Sequence, residues 1–404
     1  MVPCYHNLIN KENRALGVRN SYSPRALSIT MRFITAVLIL SGLIIGAGMF
    51  AIPYAFAQAG FWLGVTEFII LSGLILLVHI IYSEIVLNTQ PLHRLPGYIK
   101  IYLGHNAYKL TVFSVLFGTI GSLLIYAILG SDFIINILKI TNPGYINDSS
   151  GIIIVTILSL TVGIITLFKL NKEALINGIL TAILIIFILF LIVRLWPTVQ
   201  LSNFAPTNFN NTFLLYGILI FALNGASAIP EVVTILKKNK KSTRLAVIIG
   251  SLIPAVIYFL FTFVMAGNQN AFNHPNAITS LSNSNNQLMP IVGNIVGFLA
   301  VFTSFIVLSL NLQSLLILDL KFNKWLAWFA VSFSSIFLYK LGLYDFTSIM
   351  GYMGTIFGGL DIILLILCFH KLKTLNGNKL TLWSHIWKIT VVVLIIIGIA
   401  QSVL

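Results

Sequence analysis

Residues 42 to 53 read Gly-Leu-Ile-Ile-Gly-Ala-Gly-Met-Phe-Ala-Ile-Pro and lie inside an apolar stretch of membrane-spanning length. Glycine costs a helix roughly 1 kcal/mol, and a proline inside it about 3. Three glycines and the closing Pro53 therefore disfavour a continuous helix by several kcal/mol on these scales, and unwound backbone is expected here. At bilayer depth such backbone is tolerated only where protein buries it or where it lines a polar cavity. The interruption therefore predicts a binding site inside a membrane protein.

Composition agrees: the 404 residues are 58% hydrophobic and 8% charged, with a mean hydropathy of +0.98. A hydrocarbon core of about 30 Å needs roughly 20 residues at 1.5 Å each. Eleven segments qualify, at 33–58, 62–88, 110–138, 152–169, 174–195, 213–236, 243–266, 289–318, 325–343, 346–369 and 384–403. The expected fold class is an all-α integral membrane protein, with residues 1–31 as a polar tail and 32–404 as the membrane domain. The tail has no apolar core before a small-residue cleavage site, so no removable signal is expected. The loop at 267–288, rich in Asn and Ser, reads as solvated and too short for a domain.

The net charge of +14 does not point to nucleic acid, because the basic residues alternate with the segments as orienting charges do. With the N-terminus in the cytoplasm and the C-terminus outside, all Lys and Arg except Lys139, Arg194 and Lys340 face the cytoplasm. The basic run from Lys237 to Arg244 suits anionic lipid. Cys4 and Cys368 give no sign of a disulfide framework or metal site. The seven histidines are scattered and no nucleophile, base or metal cluster converges, so an enzyme is not expected and no cofactor is implied.

The sixth segment carries an echo of the first: Phe221 to Pro230 reads Phe-Ala-Leu-Asn-Gly-Ala-Ser-Ala-Ile-Pro. Interrupted helices at corresponding positions of two halves point to a transporter of two inverted five-helix repeats. The expected repeats are about 33–195 and 213–369, with 384–403 as an added helix. Half-helix N-termini suit a carboxylate, a role assigned to the amides of Ala47, Gly48 and Met49, with Gly46 and Gly48 allowing close approach. Carbonyls around Leu223, Asn224, Gly225 and Ser227 suit an ammonium. Phe221, Tyr126, Ser122 and Phe305 are candidates for the side-chain pocket. A bulky residue at Gly48 is expected to abolish substrate binding in a protein that still folds. The alternative reading of these glycines is close helix packing.

At these residues the chain resembles the amino acid/auxin permease family, and within it the bacterial hydroxy and aromatic amino acid permeases. The likeness rests on Ile45 to Met49 with Ile52 to Phe56 before Gly60, on Tyr126 to Gly130, and on Ala300 to Asp319 with Thr303-Ser304-Phe305. The sixth segment departs from the family pattern at Asn224 and Glu231. The resemblance implies a leucine-transporter-like fold with broken helices one and six. It also implies proton-coupled import of a neutral, aromatic or bulky hydrophobic amino acid; the short loops favour a bacterial inner membrane, and no obligatory protein partner is evident in the sequence. In sodium-coupled members of the wider fold, one cation site corresponds by motif position to Gly42, Ile45, Ala300, Thr303 and Ser304. Sodium coupling is thus the alternative, and a passive facilitator a further one; Thr303 and Ser304 otherwise bond their own helix backbone.

Five acids lie within the segments: Glu67, Glu84, Asp132, Glu231 and Asp361. Burying each costs a few kcal/mol on insertion scales, so each requires a reason. Glu231, directly after the second Ala-Ile-Pro, is the candidate proton carrier, with capping of the following half-helix as the alternative. Glu84 and Asp132, near segment ends, read as structural. His79 reads as a packing residue, with Ser83 one turn later. Asp319 and Lys321 read as a solvated end, or as part of a gate with Arg32.

Overall fold

The computed structural model describes residues 29–142, 144, 146, 147, 149–168, 173–268, 274–281 and 288–375. The expected eleventh segment, most of the N-terminal tail and parts of the 267–288 loop lie outside the described residues. Among those described, every regular element is helical. The helices are α1 (Ile29–Ile44), α2 (Gly48–Ala59), α3 (Phe61–Asn88), α4 (Leu95–Leu103), α5 (His105–Thr141), α6 (Ser150–Leu167), α7 (Glu173–Leu195), α8 (Thr212–Leu223), α9 (Ile229–Ile235), α10 (Lys240–Ala266), α11 (Ala277–Ser280), α12 (Leu288–Ser314), α13 (Lys324–Lys340), α14 (Phe346–Tyr352) and α15 (Gly359–Leu375). Wider π turns extend α12 over Leu315–Asp319 and join α14 to α15 over Met353–Gly358.

Among the described residues, eight stretches are long and apolar enough to cross a membrane, nine when the bent pair α1 and α2 is taken as one span. The ninth expected segment appears as α13, whose 17 residues reach about 25 Å, less than a roughly 30 Å core. It ends before the expected residue 343 because Gly342, at φ 98°, turns the chain out of the helix. The ten expected segments with described residues are called spans one to ten below, in chain order.

Packing places the broken spans at the centre. Half-helix α2 packs on α8, and α1 packs on α9 and α10. Span three lies along span eight, four along nine, and five along eight; span ten packs on span three, and span six on spans two and ten. One large core joins spans one, two, six and seven. A second lies between spans three, four, eight and nine, and Phe305 belongs to it.

Spans six and ten approach backbone to backbone. A Cβ on Gly217 would stand within van der Waals contact of the Gly351 carbonyl, and one on Gly354 would strike the Gly217 carbonyl. The end of the bundle away from the N-terminal segment is filled: Phe50 meets Phe133 edge-on at 5.1 Å, and both are fully buried. The 267–288 loop is not simply solvated, because its residues 277–281 are buried. Span three holds this stretch, as Asn276 donates to Asp132 (3.3 Å) and Asn136 to Thr279 (2.6 Å). Asp132 is thereby given a structural task.

At the opposite, basic end, Glu84 pairs with Lys373 and Arg94 with Asp319 at 3.1 Å. The partner of Asp319 is thus Arg94, in the connection after span two, rather than Arg32. Both members of that pair are partly exposed, so it contributes about 1 kcal/mol or less.

Overpacking a core costs about 1–3 kcal/mol, and a Cβ on Gly217 would meet the Gly351 backbone and the Thr355 hydroxyl. Gly217→Val is therefore expected to lower the thermal midpoint of the purified protein in detergent by several degrees. Gly73→Ala, where a Cβ meets nothing within 4 Å, is expected to leave it unchanged or raise it slightly. Equal midpoints for the two variants would refute the close approach.

Candidate substrate and coupling site

The first break is short. α1 ends at Ile44, residues 45–47 leave the helix, and α2 starts at Gly48 with a bend of 53° between the two. Unwinding is confined to the glycine cluster, and Pro53 lies inside α2 rather than at its edge. The second break runs through Asn224 and Gly225 into a 3-10 turn at Ala226–Ala228. Here Pro230 falls in the first turn of α9, where its missing N–H would have had no intrahelical partner. The two Ala-Ile-Pro motifs therefore do different work: one rides within a half-helix, the other begins one.

Each break exposes amides and carbonyls that need partners, and two tyrosines meet the first. The Tyr258 hydroxyl donates to the Ile44 carbonyl at 2.6 Å and accepts the Gly46 amide at 3.4 Å. The Tyr126 hydroxyl sits at the Ala47 amide and 3.2 Å from where a Cβ on Gly46 would stand. The amides of Met49 and Phe50 turn back to the carbonyls of Gly46 (3.3 Å) and Ala47 (3.2 Å). At the second break, the Asn224 side chain accepts the Ala226 amide at 3.0 Å. The Gly225 amide donates to His79 Nε2 at 3.0 Å, and His79 Nδ1 lies 2.9 Å from Ser251 Oγ. His79 thus bonds across to spans six and seven, whereas Ser83 bonds the Ile80 carbonyl on its own helix.

Span seven is the common support. Pro254 lacks the N–H that would bond the Gly250 carbonyl, and the Ser41 hydroxyl of α1 donates to that carbonyl at 3.0 Å. Ser251 and Tyr258 lie seven residues apart, two turns on one face, and serve the second and first breaks respectively. Tyr258, Ser251 and His79 as partners of the breaks were missed by sequence reasoning. Each is an isolated polar group in an apolar helix, which carries no periodic signal.

The predicted residues are distributed unevenly. Gly46, Ala47 and Tyr126 come together. Gly48 does not open toward ligand space: a Cβ there would fall on Cβ and Cα of Ala222. It is a packing contact between α2 and α8, so a bulky residue at Gly48 would wedge the half-helices apart, and the expectation of a folded, non-binding variant is corrected. Gly225 is likewise closed, by Leu40 and Ile44 of α1. Met49 and Leu223 are buried, Phe221 and Tyr126 half-buried, and Asn224 and Ser227 exposed. Ser122 donates to Gly118 on its own helix, and Phe305 is packed away at 2% exposure.

Glu231 lies in the first turn of α9 with its side chain exposed and forms no ion pair among the described residues. Asn224, Ser227, Glu231 and Thr234 follow one another at three- and four-residue steps as an exposed stripe. Glu67 sits beside Tyr216 of span six, and Asp361 against Ser114 of span three.

Among the candidate cation ligands, Ile45, Ala300 and Ser304 border one narrow cleft, together with Thr181 of span five. Gly42 does not border it. The Thr303 hydroxyl donates to the carbonyls of Leu299 and Ala300, each at 3.1 Å. That bond uses its proton and leaves its lone pairs.

The sequence profile of the tryptophan/tyrosine permease family matches residues 29–402, and the chain belongs to that family. It is 23% identical over 337 residues to "Glutamine transporter 2" of Aliivibrio fischeri, covering 80% of this chain and 84% of that one. Among solved structures it is similar to MhsT in complex with L-phenylalanine, with a TM-score of 0.68 and 11% identity, covering 91% of this chain and 98% of that one. The fold is therefore that of MhsT, a leucine-transporter-fold protein.

Tyr258→Phe removes two hydrogen bonds to the first break, at a cost of about 1–3 kcal/mol for buried groups left unpaired. Amide exchange across residues 44–50 is expected to accelerate by about 5- to 150-fold, while Tyr352→Phe, at an exposed ring, leaves it unchanged. Mass-spectrometric hydrogen exchange checks this, and an unaltered rate in Tyr258→Phe would remove the tyrosine from its bracing role.

Proposed function

We propose that this member of the tryptophan/tyrosine permease family imports a neutral amino acid, aromatic or bulky and hydrophobic, by alternating access coupled to proton entry. The observation that carries the reading is the contact of the two breaks, where Gly225 of the second packs against Ile44 at the end of α1, with Gly46, Ala47 and Tyr126 gathered at the first. The N-terminal end of α2 carries about half a positive unit of dipole charge, suited to a carboxylate. The carbonyl end of α8, at Leu223 and Asn224, suits an ammonium.

The packing supports two inverted five-span repeats. Contact of span one with seven has its counterpart in six with two, five with eight in ten with three, and three with four in eight with nine. With the basic end in the cytoplasm of a bacterial inner membrane, the exposed stripe from Asn224 to Thr234 faces inward. The Phe50, Phe133 and 277–281 end is closed outward. Such an arrangement suits release of substrate to the cytoplasm, with Glu231 lining the way out. A co-transported cation and substrate that jointly favour the occluded form would let the gradient drive accumulation.

Sodium coupling is the second reading, favoured by the gathering of Ile45, Ala300 and Ser304 around one cleft, with oxygen ligands suited to a hard cation. Glutamine enters the substrate panel because of the relative that bears its name.

The test is uptake of labelled tyrosine, tryptophan, leucine and glutamine into proteoliposomes under a pH gradient or a sodium gradient alone. Accumulation of tyrosine or tryptophan above the external concentration is expected under the pH gradient. Accumulation only with sodium would transfer coupling to the cleft. Equilibration without accumulation would leave a facilitator, and no uptake of any of the four would overturn the substrate class.

A further inference from the structure

We propose that the coupling proton binds His79, and that the Gly225 amide and the proton compete for the same ring nitrogen; this rests on the proton-coupled reading above. The imidazole is fully buried at 0% exposure. Its Nε2 receives the Gly225 N–H at 3.0 Å, and its Nδ1 lies 2.9 Å from Ser251 Oγ. A backbone amide can only donate. The nitrogen that faces it therefore carries a lone pair, the ring is neutral, and its one proton is on Nδ1, donated to the serine. Placing a second proton on Nε2 would set two donors head to head and leave the Gly225 amide without an acceptor in a buried site, an arrangement that costs more than a hydrogen bond is worth. A protonated His79 and a clasped second break thus exclude one another.

The clasp sits where a small change has a large effect. Gly225 is the junction between α8 and the turn that starts the inner half of span six, and it packs directly against Leu40 and Ile44 of α1. Releasing or forming one bond at Gly225 therefore acts on both broken spans. When the break closes onto the ring, the Nε2–H bond must give way to the Gly225 N–H···Nε2 bond, and the proton leaves. The proton that leaves is the one on Nε2, which passes to water as the Gly225 segment closes; Nδ1 keeps its own and donates it to Ser251 Oγ.

The ring's surroundings favour this role over that of an ion-paired histidine. Span seven offers it Ser251, span six the Gly225 amide, and span one the apolar Leu40 and Ile44 behind Gly225. Among the described residues no titratable or charged side chain of these elements, or of span two itself, acts on it electrostatically. Among the described residues, the competitor for Nε2 is the Gly225 amide of the second break. That makes the protonation state a direct function of conformation, which is what coupling requires.

The test uses the full chain in proteoliposomes containing a pH-sensitive dye, with the proton-to-substrate ratio measured during uptake of the amino acid that the wild type accumulates. His79→Gln offers Gly225 an acceptor and cannot take the proton. Its ratio is expected to fall from near one to below about a tenth, with pH-driven accumulation lost; a wild-type ratio in this variant overturns the proposal. Should the variant fail to fold, the wild type alone decides, through hydrogen exchange at residues 222–228 between pH 8 and 5, corrected for intrinsic rates. Protection there is expected to fall about tenfold or more toward acid pH, and flat protection overturns the clasp. A wild type that accumulates nothing under a pH gradient refutes the proton-coupled reading itself, and is thereby distinguished from a failure confined to His79.

Discussion

Inside a bilayer no water is at hand to satisfy a peptide group, so each residue taken out of a helix must have its N–H and C=O matched by protein or exposed to a polar path. The structure is organised around that requirement at two places. The first break leaves the Ile44 carbonyl and the Gly46 and Ala47 amides to be met by the phenols of Tyr258 and Tyr126. The second leaves the Gly225 and Ala226 amides to be met by His79 and Asn224.

From this follows the position of span seven. It presents Gly250, Ser251 and Tyr258 to three different elements, and its own irregularity, Pro254, supplies the free carbonyl to which Ser41 anchors α1. In a regular helix the amide of residue 254 would share that carbonyl, whereas here Pro254 leaves it to Ser41. Bracing both breaks from one helix also means that they do not move independently. A shift of span seven relative to span one changes the hydrogen bonds of the first break directly and those of the second through Ser251 and His79. Such a shared support is a physical basis for two sites acting together.

The glycines divide by what stands next to them. Gly48, Gly217, Gly225 and Gly354 are glycine because another helix's backbone or a core side chain occupies the volume of a Cβ, whereas Gly46 faces only a tyrosine hydroxyl. In the sequence these positions look alike. The reading of Gly48 as a ligand-facing residue failed for that reason: a glycine's demand for space says nothing about which neighbour fills it. The acids divide similarly, with Glu84 and Asp132 given partners at the two ends of the bundle and Glu231 left on an exposed stripe.

Membrane class, the approximate bounds of the described spans and the location of both breaks were determined by the sequence alone. Hydropathy, glycine flexibility and the missing N–H of proline act over a few neighbouring residues and leave a local pattern. Even the resemblance of residues 221–230 to 42–53 was legible, although the roles of Pro53 and Pro230 within it were not. Tertiary structure alone decided what satisfies the breaks. Gly225 finds His79 from 146 residues away, and the Gly46 amide and Ile44 carbonyl find Tyr258 from 212 and 214. A lone tyrosine or histidine in an apolar helix has no sequence periodicity to say which way it points, and its partner is fixed only when the helices pack.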